Sequence, residues 1–215
     1  MGHSVRDEGV VGSNPITPTS SLPGDADPAQ LSENVDGSAT AEYTRQDTRA
    51  MAVTITLGAT GVTNVGKGGD AAGDKFVNFE NITGGLAADV LTGNADANLL
   101  TGGAGNDVLT GGLGADRFQF NATTHGVDVI KDFVFGTDTI GLDGDAFGVP
   151  LTGSAQSLGI NFVHGSVPTG PGYTLLYDAT GHLLWDIDGT GAAPAVVLAE
   201  LLGHPTLTAS DIFFT

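Results

Sequence analysis

The sequence contains no cysteine among its 215 residues. Disulfide bonds, thiol catalysis and zinc-thiolate sites are therefore excluded. Basic residues are scarce as well, since seven Lys and Arg stand against 25 Asp and Glu and leave a formal net charge of −18. This balance argues against nucleic acid or an anionic membrane as a partner and favours cation binding or solubility. A chain without disulfides needs another means of cross-linking its fold, and metal ions are the available candidate.

Long apolar runs and catalytic motifs are also missing. No run of about 18 apolar residues predicts a transmembrane helix, and no basic segment followed by an apolar stretch predicts a general secretory signal. None of the five histidines lies in a His-Glu-x-x-His zinc motif, and no Gly-x-Ser-x-Gly nucleophile motif occurs. We therefore expect a protein that is not an enzyme and does not span a membrane.

Glycine is abundant, with 34 residues, and much of it recurs with a fixed period. Four consecutive nonapeptides fill residues 84–92, 93–101, 102–110 and 111–119. The third and fourth repeats match Gly-Gly-x-Gly-x-Asp-x-U-x at every specified position, where U is a large apolar residue. A repeat of fixed period predicts a solenoid in which each unit stacks on its neighbours.

The third and fourth repeats have glycine at positions 1, 2 and 4, and every repeat has a polar residue, usually Asp, at position 6. Glycine tolerates positive φ and leaves carbonyl oxygens exposed, so that several of them can converge on one point. Ligation by oxygen alone suits a hard cation, and a flexible loop favours calcium over magnesium. The predicted calcium ligands come from these positions: Asp89, Asn98, Gly102, Gly103, Gly105, Asp107, Gly111, Gly112, Gly114 and Asp116.

Positions 7 to 9 of each repeat form a short β-prone triplet. Side chains alternate along a strand, so the residue at position 8 faces opposite to its two neighbours. The predicted core stripe consists of Leu91, Leu100, Leu109 and Phe118. Successive repeats would form opposite walls of a roll, and a calcium ion would lie between turns that are two repeats apart. The predicted pairs are Asp89 with Asp107, and Asn98 with Asp116.

These repeats resemble the RTX, or hemolysin-type, parallel β-roll of bacterial proteins exported by type I secretion. The first two repeats depart from the pattern. Ala87 replaces a glycine in the first repeat, and Asn94, Asp96 and Asn98 replace Gly, Gly and Asp in the second. Asn98 lacks a charge, so the ion position that it serves is weaker or missing. The resemblance implies one to three calcium ions, whose binding folds the module.

The chain divides into four expected segments within an all-β fold. Residues 1–50 are rich in Pro, Ser and acidic residues, lack apolar periodicity and are predicted to be disordered. A short stretch within them resembles the translation of a tRNA gene, so we also hypothesise that translation begins at Met51. Residues 51–83 would supply lead-in strands, residues 84–119 the parallel β-roll, and residues 120–215 a C-terminal capping sheet or sandwich that ends in a secretion signal.

The C-terminal segment carries most of the aromatic residues and several alternating stretches. Residues 173–178 and 182–186 flank a turn and predict a hairpin. Residues 127–133 and 137–142 resemble the segment in which RTX repeats pass into the C-terminal region of serralysins. Residues 211–215 combine one acidic residue with apolar ones and resemble the uncleaved secretion signal of serralysin-like proteins, with an ordinary edge strand as the alternative.

The function implied by this resemblance is that of a secreted, extracellular, calcium-binding module without catalytic residues of its own. Calcium and the type I secretion machinery, reached through the C-terminus, are the expected partners. Two alternatives stay open. One is that the chain is the C-terminal part of a larger secreted enzyme, such as a serralysin-like metalloprotease, and the other is that it is a surface-layer or adhesive structural protein.

Overall fold

A computed structural model of the protein describes residues 30–33, 39–42, 51–59, 61–76 and 78–215. Over these ranges the chain forms short β-strands and two 3-10 turns, and no α-helix. The elements in chain order are β1 (Gln30–Glu33), β2 (Ala39–Glu42), β3 (Thr54–Thr56), β4 (Asn64–Val65), a 3-10 turn (Gly69–Ala71), β5 (Lys75–Phe76), β6 (Asn81–Thr83), β7 (Val90–Thr92), β8 (Leu99–Thr101), β9 (Val108–Thr110), β10 (Arg117–Phe120), β11 (Asp128–Ile130), β12 (Thr139–Leu142), β13 (Gly153–Ser154), β14 (Asn161–His164), β15 (Thr174–Tyr177), β16 (His182–Asp186), β17 (Val196–Leu201), a 3-10 turn (Ala209–Asp211) and β18 (Ile212–Phe214). No helix in the described part of the chain has the length and apolar character needed to cross a bilayer.

Most of the strands form two eight-stranded sheets. The order in the first sheet is β1-β2-β6-β8-β10-β12-β18-β13, and the order in the second is β14-β15-β16-β17-β11-β9-β7-β3. From β6 to β12 the chain alternates between the sheets, and each strand pairs in parallel with the second strand along the chain. This alternation gives the two-walled parallel roll that the repeat predicts, and the all-β fold is confirmed.

A stripe of buried apolar side chains runs up the inside of each wall. In the first sheet the register aligns Ile82, Leu100, Phe118, Ile140 and Ile212. In the second sheet it aligns Ile55, Leu91, Leu109, Ile130 and Leu201. All ten side chains are fully buried, which confirms the predicted inward direction of position 8. Burial of each such side chain contributes roughly 1.5–3 kcal/mol, so these stripes are the main apolar core of the roll.

The C-terminal region continues both walls of the roll. β12 and β18 extend the first sheet in parallel, and β11 and β17 extend the second. The predicted hairpin is confirmed, because β15 and β16 pair antiparallel across the turn at residues 178–181. Aromatic rings close this end of the core, with the ring of Trp185 lying 5.8, 5.6 and 5.7 Å from those of Phe147, Tyr173 and Phe214.

Two short strands precede the lead-in. β1 and β2 pair antiparallel, and β2 pairs in parallel with β6 at the edge of the first sheet. These eight residues differ from the predicted disorder of residues 1–50, because backbone pairing onto an open sheet edge requires no apolar periodicity in the added strand. The remainder of that segment lies outside the described residues. Residues 51–83 contain the strands β3, β4, β5 and β6.

Candidate metal centre

The turns that join the two walls lie at two edges of the roll. The glycine-rich turns of the first and third repeats lie at one edge, and those of the second and fourth at the other. A longer turn from the C-terminal region follows at each edge, at residues 121–127 and 131–138. Turns of one edge stack on each other because every strand pairs with the second strand along the chain.

At the first edge, carboxylates and backbone amides form a ladder. The carboxylate oxygen Oδ1 of Asp89 accepts a hydrogen bond of 2.7 Å from the amide of Val53. Oδ1 of Asp107 accepts one of 2.8 Å from the amide of Asp89, and Oδ1 of Asp128 accepts one of 3.0 Å from the amide of Asp107. Each aspartate therefore fixes the position of the preceding one, and the predicted pair Asp89 and Asp107 lies in adjacent turns.

The second edge repeats this ladder. Oδ1 of Asp116 accepts a 2.8 Å hydrogen bond from the amide of Asn98, and Oδ1 of Asp138 accepts one of 3.0 Å from the amide of Asp116. Asn98 uses both ends of its side chain. Its Oδ1 accepts from the amide of Asn94 at 2.8 Å, and its Nδ2 donates to the carbonyl of Glu80 at 3.0 Å. Its side chain therefore has less free ligand capacity than an aspartate at the same position.

Two carboxylate oxygens of the ladders are buried without a hydrogen-bond partner: Oδ2 of Asp107 and Oδ2 of Asp116. The side chains are 0% and 1% exposed, respectively. In contrast, Oδ2 of Asp89 accepts a hydrogen bond of 2.7 Å from the amide of Gly85. A buried charged oxygen without a partner is costly, so these two atoms fit a site for a cation.

Glycines keep the space beside Asp107 free. A Cβ atom added to Gly102 would overlap with Oδ2 of Asp107. Gly105 has a φ of 128°, and a Cβ there would lie 2.5 Å from the carbonyl oxygen of Ala87 in the adjacent turn. Gly103 has a φ of 97°, and a Cβ atom there would overlap with the carbonyl oxygen of Gly85 in that turn. Glycines of the third-repeat turn therefore lie against backbone carbonyl oxygens of the stacked first-repeat turn and against the unpartnered carboxylate oxygen of Asp107.

The fourth repeat has the same arrangement at the second edge. A Cβ atom at Gly111 would overlap with Oδ2 of Asp116, and one at Gly112 would overlap with the carbonyl oxygen of Asn94. Gly114 approaches the carbonyl oxygen of Asp96 in the same way. The substitution of Asn94 and Asp96 for glycine in the second repeat thus leaves their backbone oxygens in place.

Burial changes the acid–base behaviour of these groups. It raises the pKa of Asp107 and of Asp116 from 3.8 to about 6, and the pKa of Asp128 to about 7. The charge of Asp89 adds to the effect at Asp107, and the charge of Asp138 adds to it at Asp116. A bound cation would favour the ionised carboxylates and oppose these shifts.

The donor set fits calcium. Among the described residues, no three His, Cys, Asp or Glu side chains form a group that could hold a metal ion. A cation beside Asp107 or Asp116 would be held mainly by backbone carbonyls, with one or two carboxylates added. Calcium accepts six to eight such oxygen ligands in variable geometry, whereas zinc sites are built mainly from His and Cys in a tetrahedron and magnesium takes a strict octahedron.

The structure brings the predicted ligands together in two groups. The first-edge group contains Asp89, Gly102, Gly103, Gly105 and Asp107, and the second-edge group contains Asn98, Gly111, Gly112, Gly114 and Asp116. Members of one group belong to adjacent turns, whereas the two groups lie at different edges. The pairing of Asp89 with Asp107 and of Asn98 with Asp116 follows from the parallel register.

Sequence reasoning missed three aspartates that continue these edges. Asp128 follows Asp107 after 21 residues, and Asp138 follows Asp116 after 22, whereas the repeats return after 18. Asp132 lies beside the second edge, where its carboxylate accepts hydrogen bonds of 2.8 and 2.9 Å from the amides of Gly111 and Gly112. The available signal was an Asp-x-Ile triplet at Asp128 and at Asp138, each preceded by a turn that is longer than those of the repeats; Asp132 has no such triplet.

Comparison with known proteins agrees with this geometry. Residues 83–118 match the family model of the RTX calcium-binding nonapeptide repeat, in four copies. A search of curated proteins gave no match. The central segment of the chain therefore consists of RTX repeats of the calcium-binding type.

Proposed function

We propose that this chain is a calcium-folded module of a secreted protein, exported by a type I system and without catalytic residues of its own. The calcium-binding type of its repeats is the starting point. The observation that carries the proposal is the pair of buried, unpartnered carboxylate oxygens of Asp107 and Asp116, each lying against a glycine turn. We propose two ions, one at each edge of the roll, which lies within the range of one to three that the repeats imply.

Each ion would be held by one full-motif repeat and by the turn stacked beside it. Asp107 and the backbone of its glycines would hold the first-edge ion together with the turn of Asp89. Asp116 and its glycines would hold the second-edge ion together with the turn of Asn98. Because the side chain of Asn98 is already engaged at both ends, we expect weaker binding at the second edge.

Ion binding would provide the free energy that folds the roll. Without metal, neighbouring carboxylates repel each other, as Asp107 and Asp89 do at the first edge, and the many glycines add conformational entropy to the unfolded chain. A preformed site is absent from an unfolded chain, so the free energy of binding becomes free energy of folding.

Calcium concentration would then determine where the module folds. Extracellular calcium modules bind with dissociation constants of about 10⁻⁴ to 10⁻³ M, far above cytosolic free calcium. The chain would remain unfolded inside the cell, pass through a narrow export channel and fold outside. This argument supports a secreted, extracellular location.

Isothermal titration calorimetry on the full chain tests the proposal. We expect two ions per chain for the unmodified protein, one ion for Asp107→Asn, and one for Asp116→Asn. Circular dichroism of each variant in millimolar calcium would show whether the remaining site still folds the roll. A stoichiometry that both substitutions leave unchanged would contradict the assignment of these two aspartates.

A further inference from the structure

A second group of carboxylates lies outside the roll, in the loop between β16 and β17. Strand β16 ends at Asp186, and residues 186–191 read Asp-Ile-Asp-Gly-Thr-Gly. Asp186 is only 2% exposed. Its Oδ1 accepts hydrogen bonds from the amides of Asp188 at 3.1 Å and of Gly189 at 2.7 Å, whereas among the described residues no donor reaches its Oδ2. The loop therefore begins with a buried carboxylate that has one free oxygen.

Asp188 divides the roles of its carboxylate oxygens in the same way. Oδ2 accepts a hydrogen bond of 3.1 Å from the amide of Ala193, and Oδ1 is buried without a hydrogen-bond partner. The carboxylate lies against the backbone of Gly191, where an added Cβ atom would overlap with Oδ2 and lie 2.8 Å from Oδ1. Glycine at this position thus leaves room for the carboxylate inside the loop, although a buried charged oxygen without a partner is costly.

Backbone carbonyls from the loop between β14 and β15 approach the same turn. Gly189 has a φ of 63°, and a Cβ atom there would overlap with the carbonyl oxygen of Gly170 and lie 2.8 Å from that of Gly172. The amide of Thr190 donates to the carbonyl of Gly170 at 3.0 Å, and the amide of Gly172 donates to the carbonyl of Asp188 at 3.2 Å. A carbonyl oxygen has two lone pairs, so one hydrogen bond leaves it able to bind a cation as well.

The C-terminal region has no basic side chain that could neutralise these two carboxylates. All seven Lys and Arg lie at or before Lys131, so residues 132–215 contain none. Lys131 is exposed, and the guanidinium of Arg117 lies over the ring of Phe213. Buried carboxylates are normally paired with an opposite charge or bound to a metal. A cation from solution is therefore the partner that the loop lacks within its own region.

We propose that this loop and residues 170–172 form a third calcium site, outside the roll. Asp186 and Asp188 would supply carboxylate oxygens, and the carbonyls of Gly170 and Gly172 would add backbone oxygens. Oxygen ligation of this kind suits calcium, and residues 186–193 contain no His or Cys that would favour zinc.

The ion would join two loops at one end of the second sheet. These loops follow β14 and β16, and β14 is the outermost strand of that sheet. Asp188 is half-buried, whereas Asp107 and Asp116 are fully buried, so this ion should bind more weakly than those of the roll. A titration that just saturates the roll would therefore still count two ions, and the third would bind at higher calcium.

Terbium(III) luminescence tests this site on the full chain, because terbium binds to oxygen sites of calcium and emits when a nearby tryptophan is excited. Trp185 is the single tryptophan and directly precedes Asp186. Its ring stacks on that of Tyr173 at 5.6 Å, and Tyr173 follows Gly172. Both proposed ligand segments therefore adjoin the sensitising ring. We expect tryptophan-sensitised emission that excess calcium displaces.

Substitution of the carboxylates should weaken this signal. Asp188→Asn should lower the apparent terbium affinity at least about tenfold, because the affinity of such sites depends on the number of charged ligands. Asp186→Asn is a second variant with the same expected loss, since its amide oxygen can keep both hydrogen bonds of Oδ1. Asp145→Asn removes an exposed carboxylate of the same region and should leave the affinity unchanged.

Several outcomes would overturn the inference. On the unmodified chain these are the absence of sensitised emission while circular dichroism shows a folded protein, and emission lifetimes in light and heavy water that show an almost fully hydrated ion. Equal weakening by Asp188→Asn and Asp145→Asn would mean unspecific binding to surface carboxylates. Emission that is lost in Asp107→Asn or Asp116→Asn but kept in Asp188→Asn would place the ion in the roll. A roll that folds without calcium would contradict the proposed function but leave this site standing.

Discussion

Replacement of Asp107 by Asn should change the stability of the protein in opposite directions with and without calcium. The unmodified carboxylate is fully buried and has one oxygen without a hydrogen-bond partner. An amide of the same shape carries no charge, and its NH₂ group can donate to the backbone oxygens of the adjacent turn. In chelator the substitution should therefore stabilise the fold.

The magnitude follows from the acid–base shift. Burial raises the pKa of Asp107 from 3.8 to about 6. A tenfold change in a protonation constant corresponds to about 1.4 kcal/mol, which sets an upper bound of about 3 kcal/mol on the penalty. Screening by solvent at the edge of the roll reduces the expected gain in chelator to about 1–2 kcal/mol.

With calcium the sign reverses. An ion present at ten to a hundred times its dissociation constant stabilises the folded state by about 1.4–2.7 kcal/mol. The variant loses this contribution at the first edge. At about a hundred times the dissociation constant the loss of about 2.7 kcal/mol exceeds the gain of about 1–2 kcal/mol from removing the buried charge, so at that calcium concentration its unfolding midpoint in urea should fall below that of the unmodified protein.

Stability in chelator and stability in calcium can both be measured by the fluorescence of Trp185, which is the single tryptophan and is buried in the core. In chelator, titration with trimethylamine N-oxide brings a poorly folded protein into its transition region, because this osmolyte strengthens burial. Asp145→Asn is the matched control, since Asp145 is exposed. A variant that is less stable in chelator and keeps its full response to calcium would refute the reasoning.

The remaining predictions concern the glycine turns, the core stripes and pH. Gly105→Ala should destabilise the protein by more than about 2 kcal/mol in urea unfolding, because a Cβ atom there approaches a backbone carbonyl at 2.5 Å. Gly136 also has a positive φ but has open space around it, so Gly136→Ala should cost only about 1 kcal/mol. Equal losses of stability in the two variants would contradict the crowding at Gly105. Leu109→Ala should lower the free energy of unfolding by about 2–5 kcal/mol. Leu113 is 72% exposed, so Leu113→Ala should change it by no more than about 0.5 kcal/mol. Similar losses of stability for both variants in thermal melting would contradict the role of the buried stripe. In chelator, stability should rise as pH falls from about 7 towards 4, because burial raises the pKa of the ladder aspartates, to about 7 at Asp128, and the folded state then binds more protons than the unfolded state. The concentration of trimethylamine N-oxide that folds the chain should therefore fall over this range, and a rise in that concentration would contradict the shift.

The two-walled roll could be predicted from the sequence because its signal is local and periodic. Position 8 of each nonapeptide is apolar, and the 18-residue return to the same wall follows from two repeats, so Leu91 meets Leu109 and Leu100 meets Phe118. The predicted ligand groups follow from the same register.

The continuation of the edges into the C-terminal region could not be predicted in this way. The turns before Asp128 and Asp138 are longer than those of the repeats, and the fixed period is lost. The position of β18 was also beyond local signals, because a parallel strand depends on a partner far away in the chain. An alternating stretch shows that a strand forms but not which sheet accepts it.

Hydrogen exchange of the full chain in chelator and in millimolar calcium tests the central claim most directly. The account predicts that peptides covering residues 99–119 exchange rapidly in chelator and are strongly protected in calcium, since β8, β9 and β10 form only when ions join the stacked turns. Protection of these peptides that is equally strong in chelator would contradict it and would show that the apolar stripes alone hold the roll.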